Sequence, residues 1–405
     1  MRNVLRASVL LSISAATLCA SGYRIPEQSL NSVALSNAYV ANANSADASY
    51  YNPANMSFMG AGAEVEAGMT YINLPKVNFT GISAAHSDKS LEEHFFVPTM
   101  FYVSPMMGSW RYGLSVVAPG GLSKRWDNFG KRSSEEFTLA TIEVNPTASY
   151  KFNDQLSVAL GARGVYSDGV VKSSWPAAVS RDLTGDSIDF GYNLALSYKP
   201  IKDLTLSATY RSKIDLTVKG NADLYSGATK LFSNIGASVT IPLPAVLNIA
   251  LAYTMDKTTV EFVFDRTYWS AYKELDFNYD RSIAPLTTYF DEAKPKNWKD
   301  VNAYRIGVTH QYNDKLTLMA GFAIDKNPAP DSTLGFELPD SDAKLYSVGF
   351  DYKINKQLSM GFAYLYDDKE DRTVNNNTGG SSTAPSGTFS DSAAHLVRLS
   401  AKYKF

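Results

Sequence analysis

The last nine residues constrain the fold more than any other stretch. In Val397-Arg398-Leu399-Ser400-Ala401-Lys402-Tyr403-Lys404-Phe405, apolar and polar side chains alternate almost without a break. A period of two is the mark of a strand with one apolar and one polar face. Val397, Leu399, Ala401, Tyr403 and Phe405 share one face; Arg398, Lys402 and Lys404 share the other. Such a strand closes either a soluble sandwich or a membrane barrel.

Several further features favour the barrel. A terminal Phe with an aromatic two residues before it resembles the signal read by the outer-membrane assembly machinery, which makes Phe405 the contact for that partner. Hydrophobic residues make up 45% of the chain, yet the mean hydropathy is −0.18. Beyond the N-terminus no apolar run reaches the roughly 20 residues that a spanning helix needs. Strands that alternate apolar-out and polar-in average to just such a mildly polar chain. The 25 Tyr and 20 Phe suit aromatic girdles at the two membrane interfaces.

At the N-terminus, Arg2 and Arg6 precede the short apolar stretch Val9, Leu10, Leu11, Ile13 and Leu18, with small Ala20 and Ser21 after it. This is the layout of a cleavable secretory signal over residues 1–20. The single cysteine, Cys19, lies inside it, so disulfide-stapled folds are excluded. Leu18 before Cys19 argues against a lipoprotein signal. A net charge of −2, without blocks of like charge, gives no sign of a nucleic-acid partner.

From residue 61 to 405 the chain reads as strands joined alternately by tight polar turns and longer loops. Phe152-Asn153-Asp154-Gln155-Leu156, Tyr312-Asn313-Asp314-Lys315-Leu316 and Tyr352 through Leu358 are built alike. Each has an aromatic strand end, an Asn/Asp/Lys turn and an alternating run, which is hairpin chemistry. About fourteen segments follow this pattern, near 63–74, 94–104, 109–118, 137–152, 155–173, 187–199, 203–219, 237–253, 257–271, 301–313, 315–327, 342–354, 357–371 and 393–405. In 204–218 the alternation puts Leu204, Leu206, Tyr210, Ile214 and Leu216 on one face, with Arg211, Lys213 and Asp215 on the other. An even strand count puts both termini on one side, leaving 75–93, 119–136, 174–186, 220–236, 272–300, 328–341 and the polar 372–392 as outer loops. The expected fold is all-β, a 14-stranded antiparallel transmembrane barrel.

Residues 21–60 do not alternate. They are small and polar, with anchors Tyr23, Ile25, Leu30, Val33, Leu35 and Tyr39, and end in Tyr51-Asn52-Pro53-Ala54-Asn55. The expected role is a compact N-terminal hatch plugging the lumen. Here the chain resembles the long-chain fatty-acid transporter family of outer-membrane proteins (FadL/TodX type, OMPP1). Ser21-Gly22-Tyr23, Asn52-Pro53-Ala54, Phe96-Val97-Pro98-Thr99, Tyr112-Gly113-Leu114, Thr209-Tyr210-Arg211, Trp269-Ser270, Asn297-Trp298-Lys299-Asp300 and Leu338-Pro339-Asp340 carry the resemblance in order.

The resemblance implies passive uptake of hydrophobic compounds. Cargo is captured at outer loops, held in a pocket near Gly22 and Tyr23, and released sideways at a kink in the third strand. Arg111, Tyr112 and Gly113 are the candidates for that kink, although Gly113 equally fits an ordinary small strand residue. Long-chain fatty acids are the first reading of the cargo. Neutral aromatic or aliphatic hydrocarbons are the alternative, and a general diffusion porin for polar solutes is the rival from another class. A carboxylate head needs a cation. Alternation turns Arg163, Arg211, Arg305 and Arg398 inward, Lys172 and Lys299 lie near outer strand ends, and Lys299 is the best single candidate. Pairing of these cations with Asp215, Asp325 and Asp351 is the structural alternative.

Trp175, Pro176, Ala177 and Val179 in one loop, and Leu224, Tyr225, Leu231 and Phe232 in another, are apolar enough to capture ligand. Residues 221–234 are compatible with a short amphipathic helix. The loop near 174–186 is shorter than in the fatty-acid branch. His86, His94, His310 and His395 sit in no catalytic or metal-binding motif, so no enzyme, metal or cofactor is expected. The expected partners are a hydrophobic small molecule and outer-membrane lipid including lipopolysaccharide, around a monomer in the outer membrane of a Gram-negative bacterium.

Overall fold

A computed structural model describes residues 22–175, 178–375 and 385–405. The expected leader at 1–20, Ser21, Pro176, Ala177 and the polar run 376–384 lie outside them.

Strands with one apolar face must cover it, and here lipid does so on the outside of a closed cylinder. Fourteen antiparallel strands follow one another as hairpins. They are β1 (Glu64–Leu74), β2 (Glu93–Val103), β3 (Trp110–Val117 and Gly121–Lys124), β4 (Glu136–Lys151) and β5 (Leu156–Ser174). Next come β6 (Val179–Ile201), β7 (Leu204–Arg211 and Ile214–Ser226), β8 (Thr229–Leu243 and Val246–Met255) and β9 (Thr258–Thr267). The last are β10 (Val301–Gln311), β11 (Leu316–Asp325), β12 (Ala343–Lys353), β13 (Leu358–Lys369) and β14 (Ala393–Lys404). β1 pairs with β2 on one side and with β14 on the other, from Glu64↔Lys404 to Asn73↔His395, and this closes the cylinder. Neither the first nor the last strand is left as a free edge.

The outer face of the middle of the barrel is apolar. Met69, Phe96, Leu160, Leu194, Leu251, Ile306, Val348 and Leu399 all point outward and exposed. Such a belt would be an aggregation surface in water and is what a bilayer requires. The tight turns form one end. Asn153, Asn313 and Asn355 each accept backbone N–H groups two and three residues on, at 2.8–2.9 Å, which fixes these corners.

Above the belt the wall turns inside out. In β7, Leu204, Leu206 and Tyr210 face outward, but after Ser212-Lys213 the residues Ile214, Leu216, Val218 and Leu224 are buried in the interior. In β8, Ile235, Val239, Ile241 and Leu243 face in, and after Pro244-Ala245 the residues Ile249, Leu251 and Tyr253 face out. Both breaks lie at one level of the β7–β8 hairpin, between Ile214↔Leu243 and Arg211↔Val246. A single apolar face along 204–218 is therefore corrected: Asp215 lies on the outside, paired with Lys213 at 2.7 Å. The expected helix at 221–234 is likewise replaced by the tip of this hairpin, with Leu224 opposite Phe232 and Ser226 opposite Thr229. Alternating Ala222 and Leu224 fill an interior face, which a helix there would not do.

Two apolar cores result. The outer core is built by the inverted β7–β8 hairpin together with Trp126, Phe129, Phe137, Trp269, Phe277, Trp298 and Phe336. A small outer sheet of Asn78–Gly81, Asp88–Lys89, Arg372–Val374 and Gly387–Ser390 covers it. The inner core is made by residues 30–59 lying within the barrel against its inward side chains.

Candidate functional site

Residues 22–59 are held in the lumen by groups that the wall aims inward. Ser29 caps the short helix Leu30–Ala34. The Glu261 carboxylate accepts the N–H groups of Val40, Ala41 and Asn42 at 2.7, 2.6 and 3.1 Å. Arg305 bonds Ser36 O at 3.2 Å and Asp325 at 2.8 Å. The Asn52-Pro53-Ala54 motif fits its surroundings closely. Asn52 donates to Val40 O and Ser197 Oγ, Pro53 opens the 3-10 turn Pro53–Phe58, and Ala54 packs on Ala159 and Ala195. A Pro at a first helical position loses no hydrogen bond.

Arg111, Tyr112 and Gly113 sit in the regular part of β3, not at its break. Arg111 donates to the carbonyls of Met56, Met59, Gly62 and Ser104 at 2.6–3.1 Å. A Cβ on Gly113 would meet Met56 Sδ at 2.6 Å, so glycine is needed there for close approach. The β3 ladder is interrupted at Ala118-Pro119-Gly120 instead, because Pro119 has no N–H to give. β2 and β3 pair only from Met100↔Val116 to Val103↔Gly113, and the two segments meet again at Ser90↔Trp126, so an unzipped seam lies between these levels.

The N-terminal segment stitches this seam from inside. Ile25 N donates to Pro119 O at 3.0 Å and Gly121 N to Tyr23 O at 2.9 Å. The Gln28 amide both donates to and accepts from Ala118 backbone at 2.8 Å, while Gln28 O accepts from Thr99 Oγ1 of β2.

Tyr23 leads from the seam into an aromatic box. Its ring stands 4.7 Å from Trp269, 5.9 Å from Tyr272 and 5.8 Å from Trp298, and its hydroxyl donates to Pro242 O at 2.5 Å. Gly22 has φ +68°, and a Cβ there would strike both Trp269 and Trp298 at 2.7 Å. Only glycine fits. Gly22 N donates to Asp340, which also binds Lys369. The box, with Leu122, Phe137, Ile241 and Leu338, leaves a cavity of about 10 Å³, room for about one water.

Outward of it lies a vestibule of about 600 Å³ lined by Arg132, Trp175, Tyr289, Lys294, Lys296 and Glu337, among others. That is the size of a small-molecule site. Burial among these loops, and then the charge of Arg181, push the Lys294 ammonium down to about 8. On the opposite side of the N-terminal segment, a cavity of about 460 Å³ is lined by polar groups such as Asn42, Asn44, Glu64, Lys402 and Lys404.

The candidate head-group cations are placed as follows. Arg163 and Arg211 share Glu143, and Arg211 lies 4.2 Å over the Tyr50 ring. Arg305 pairs with Asp325, and Lys402 with Asp351 at 3.1 Å. Arg398 is buried at Thr70 and Thr99. Lys172 sits outside between Glu136 and Asp182. Lys299 is exposed, whereas Lys296 and Trp298 are buried, and it is Lys296 that lines the vestibule.

Of the capture residues, Trp175 lines the vestibule and packs on Tyr289 at 5.3 Å. Val179 and Leu224 are buried in the outer core, Phe232 leans on it, Tyr225 is half-buried and Leu231 is exposed. Trp269, Tyr272, Lys294, Lys296 and Glu337 were not singled out from sequence as site residues. The Lys294-Pro295-Lys296 run just before Trp298 was the available signal.

A closed strand cylinder with an apolar outer belt, filled along its axis by residues 22–59, defines an outer-membrane β-barrel of the transport class. The chain belongs to the outer membrane protein transport protein family (OMPP1/FadL/TodX), whose model matches residues 11–405. It is 24% identical to the long-chain fatty acid transport protein of Escherichia coli K12, over 74% of this chain and 77% of that one. It is 23% identical to outer membrane protein P1 of Haemophilus influenzae Rd, over 100% and 99%. In fold it is similar to a Pseudomonas aeruginosa FadL homologue, with TM-score 0.81, 19% identity and 95% and 100% coverage. The Pseudomonas putida toluene transporter TodX gives TM-score 0.72, 18% identity and 93% and 99% coverage.

Proposed function

We propose that this protein carries hydrophobic compounds passively across the outer membrane, with long-chain fatty acids as its first cargo. The juxtaposition that carries this reading is the aromatic box at Tyr23 lying directly behind the unzipped β2–β3 seam. A molecule entering the vestibule passes Lys296 and Glu337 to reach the aromatic box at Tyr23, then meets a wall without ladder bonds that opens on hydrocarbon. Straight passage along the axis is opposed by residues 22–59, which act as the hatch, and by the polar cavity beyond them. The secretory leader is removed and the barrel works as a monomer.

The seam is the lateral exit in this reading. Thr99→Cys and Ala118→Cys, which flank Gln28, joined by a short reducible thiol cross-linker in intact cells, test it. Oleate uptake falls about tenfold on cross-linking, as expected where one closed step limits flux, and recovers on reduction. Unchanged uptake by the cross-linked barrel refutes lateral exit.

A second reading, uptake of neutral aromatic hydrocarbons, is favoured by the box itself. Edge-to-face rings at 4.7–5.9 Å offer a slot for a flat apolar ring once Tyr23 moves.

A further inference from the structure

The vestibule and the aromatic box are separate cavities with a common partition. Both are lined by Lys296, Thr333 and Glu337. Lys296 and Glu337 form a close ion pair, both nearly buried, and Thr333 Oγ1 donates to Lys296 O at 2.5 Å. Lys296 comes from the loop after β9 and Glu337 from the loop after β11, so the pair bolts two loops across the path.

The charges around the bolt do not balance. Lys294 is half-buried in the same vestibule, and its ammonium has no hydrogen-bond or ion-pair partner among the described residues. Arg181 is buried beside it, 4.1 Å over Phe277 and 5.3 Å over Phe290. Among the described residues its guanidinium hydrogen-bonds the Tyr279 hydroxyl, at 3.5 Å, and its Nε is unpartnered. Lys294, Lys296 and Arg181 thus crowd around the carboxylate of Glu337, with Arg132 and the exposed Glu292 also lining the vestibule. Buried cations without counter-charge are costly, and an arriving anion removes that cost.

We propose that Lys296–Glu337 is a carboxylate-exchange latch that selects anionic amphiphiles. The ligand head group docks on Lys294 and takes the place of Glu337 at Lys296, and the freed passage admits the tail toward Tyr23. Lys296 keeps a carboxylate partner through the exchange, and Lys294 gains one. A neutral molecule has nothing to exchange and must part a buried ion pair outright. The proposal rests on the transport reading above and names its cargo class: long-chain carboxylates rather than neutral hydrocarbons.

Oleate and oleyl alcohol, which share a tail and differ in head charge, separate the two. Binding of each to the purified full barrel is measured for wild type, Lys294→Gln and Glu337→Gln, all substitutions lying in outer loops away from the barrel ladder. Wild type prefers oleate. Lys294→Gln weakens oleate about tenfold, the usual worth of one charge-assisted contact, and leaves oleyl alcohol unchanged. Glu337→Gln, which releases Lys296, strengthens oleate severalfold. Equal loss of both ligands in Lys294→Gln, or no loss of oleate, overturns the latch, as does weaker oleate binding in Glu337→Gln. Wild type that binds neither ligand refutes the transport reading instead.

Discussion

The Lys294 ammonium is the group in the path that is most sensitive to solvent conditions. Burial first, then Arg181 and Lys296, disfavour its charge and Glu337 favours it, leaving it near 8. Arg132 and Glu292 line the same vestibule. Because the charged form is the one being penalised, the ammonium is present below that value and lost above it. Oleate affinity therefore falls severalfold from about pH 7 to about pH 9.5, whereas oleyl alcohol affinity stays level. Titration of both ligands over that range checks it, and a parallel decline contradicts the role of Lys294. At this scale the sequence was legible only up to backbone phase. Asn297-Trp298-Lys299 marked the right loop, but Asn297 has φ +48°, and a turn of that kind sets which neighbour points inward. Lys296 and Trp298 are buried, and Lys299 is exposed. Sequence spacing carries no such information in a loop.

At the scale of strands, fourteen alternating segments and their Asn-based corners were readable because each rests on local chemistry. The inversion of β7 and β8 was not, for an instructive reason. Even-numbered positions from Leu204 to Leu224 are apolar apart from Ser212 and Gly220, and odd-numbered ones are apolar from Ile235 to Tyr253. The break at Ser212-Lys213 turns the strand over at the level where lipid outside gives way to water, and lumen polarity reverses at the same level. The two reversals cancel in the pattern. Cysteine substitution separates them. Asp215→Cys reacts with a membrane-impermeant maleimide on intact cells, Leu216→Cys does not, and Leu206→Cys is reached only by a lipid-soluble reagent. Reaction of Leu216→Cys from the lipid phase contradicts the inversion. The seam at Ala118-Pro119-Gly120 was missed by a few residues because Gly113 drew attention as the flexible point, while the missing N–H of Pro119 is what unzips the wall.

On the scale of the whole molecule, the N-terminal segment and the wall depend on one another. Glu261, Arg305 and Arg111 each end on backbone of residues 36–62, so removal of the segment strands several buried charges. Two consequences follow for a barrel reconstituted in liposomes. Intact protein releases entrapped sucrose slowly, and a variant lacking 30–58 that still migrates as a folded barrel releases it at least about tenfold faster, as an open lumen of this strand number permits. Equal efflux from the two contradicts the plug. Its small-residue composition made the segment visible in sequence. Its stitches to the seam were not, since they are made by backbone and by one glutamine.

Under the lateral exit proposed above, the seam also fixes the thermodynamics of delivery. It faces hydrocarbon, so a tail that leaves there enters a phase it prefers to water by about 0.8 kcal/mol for every methylene. Exit is downhill without any energy input to the barrel, and re-entry is correspondingly slow. The bilayer itself becomes the reservoir. The net direction of flow is then set by whatever removes the compound from the inner side of that reservoir, and the barrel governs only how fast the reservoir fills.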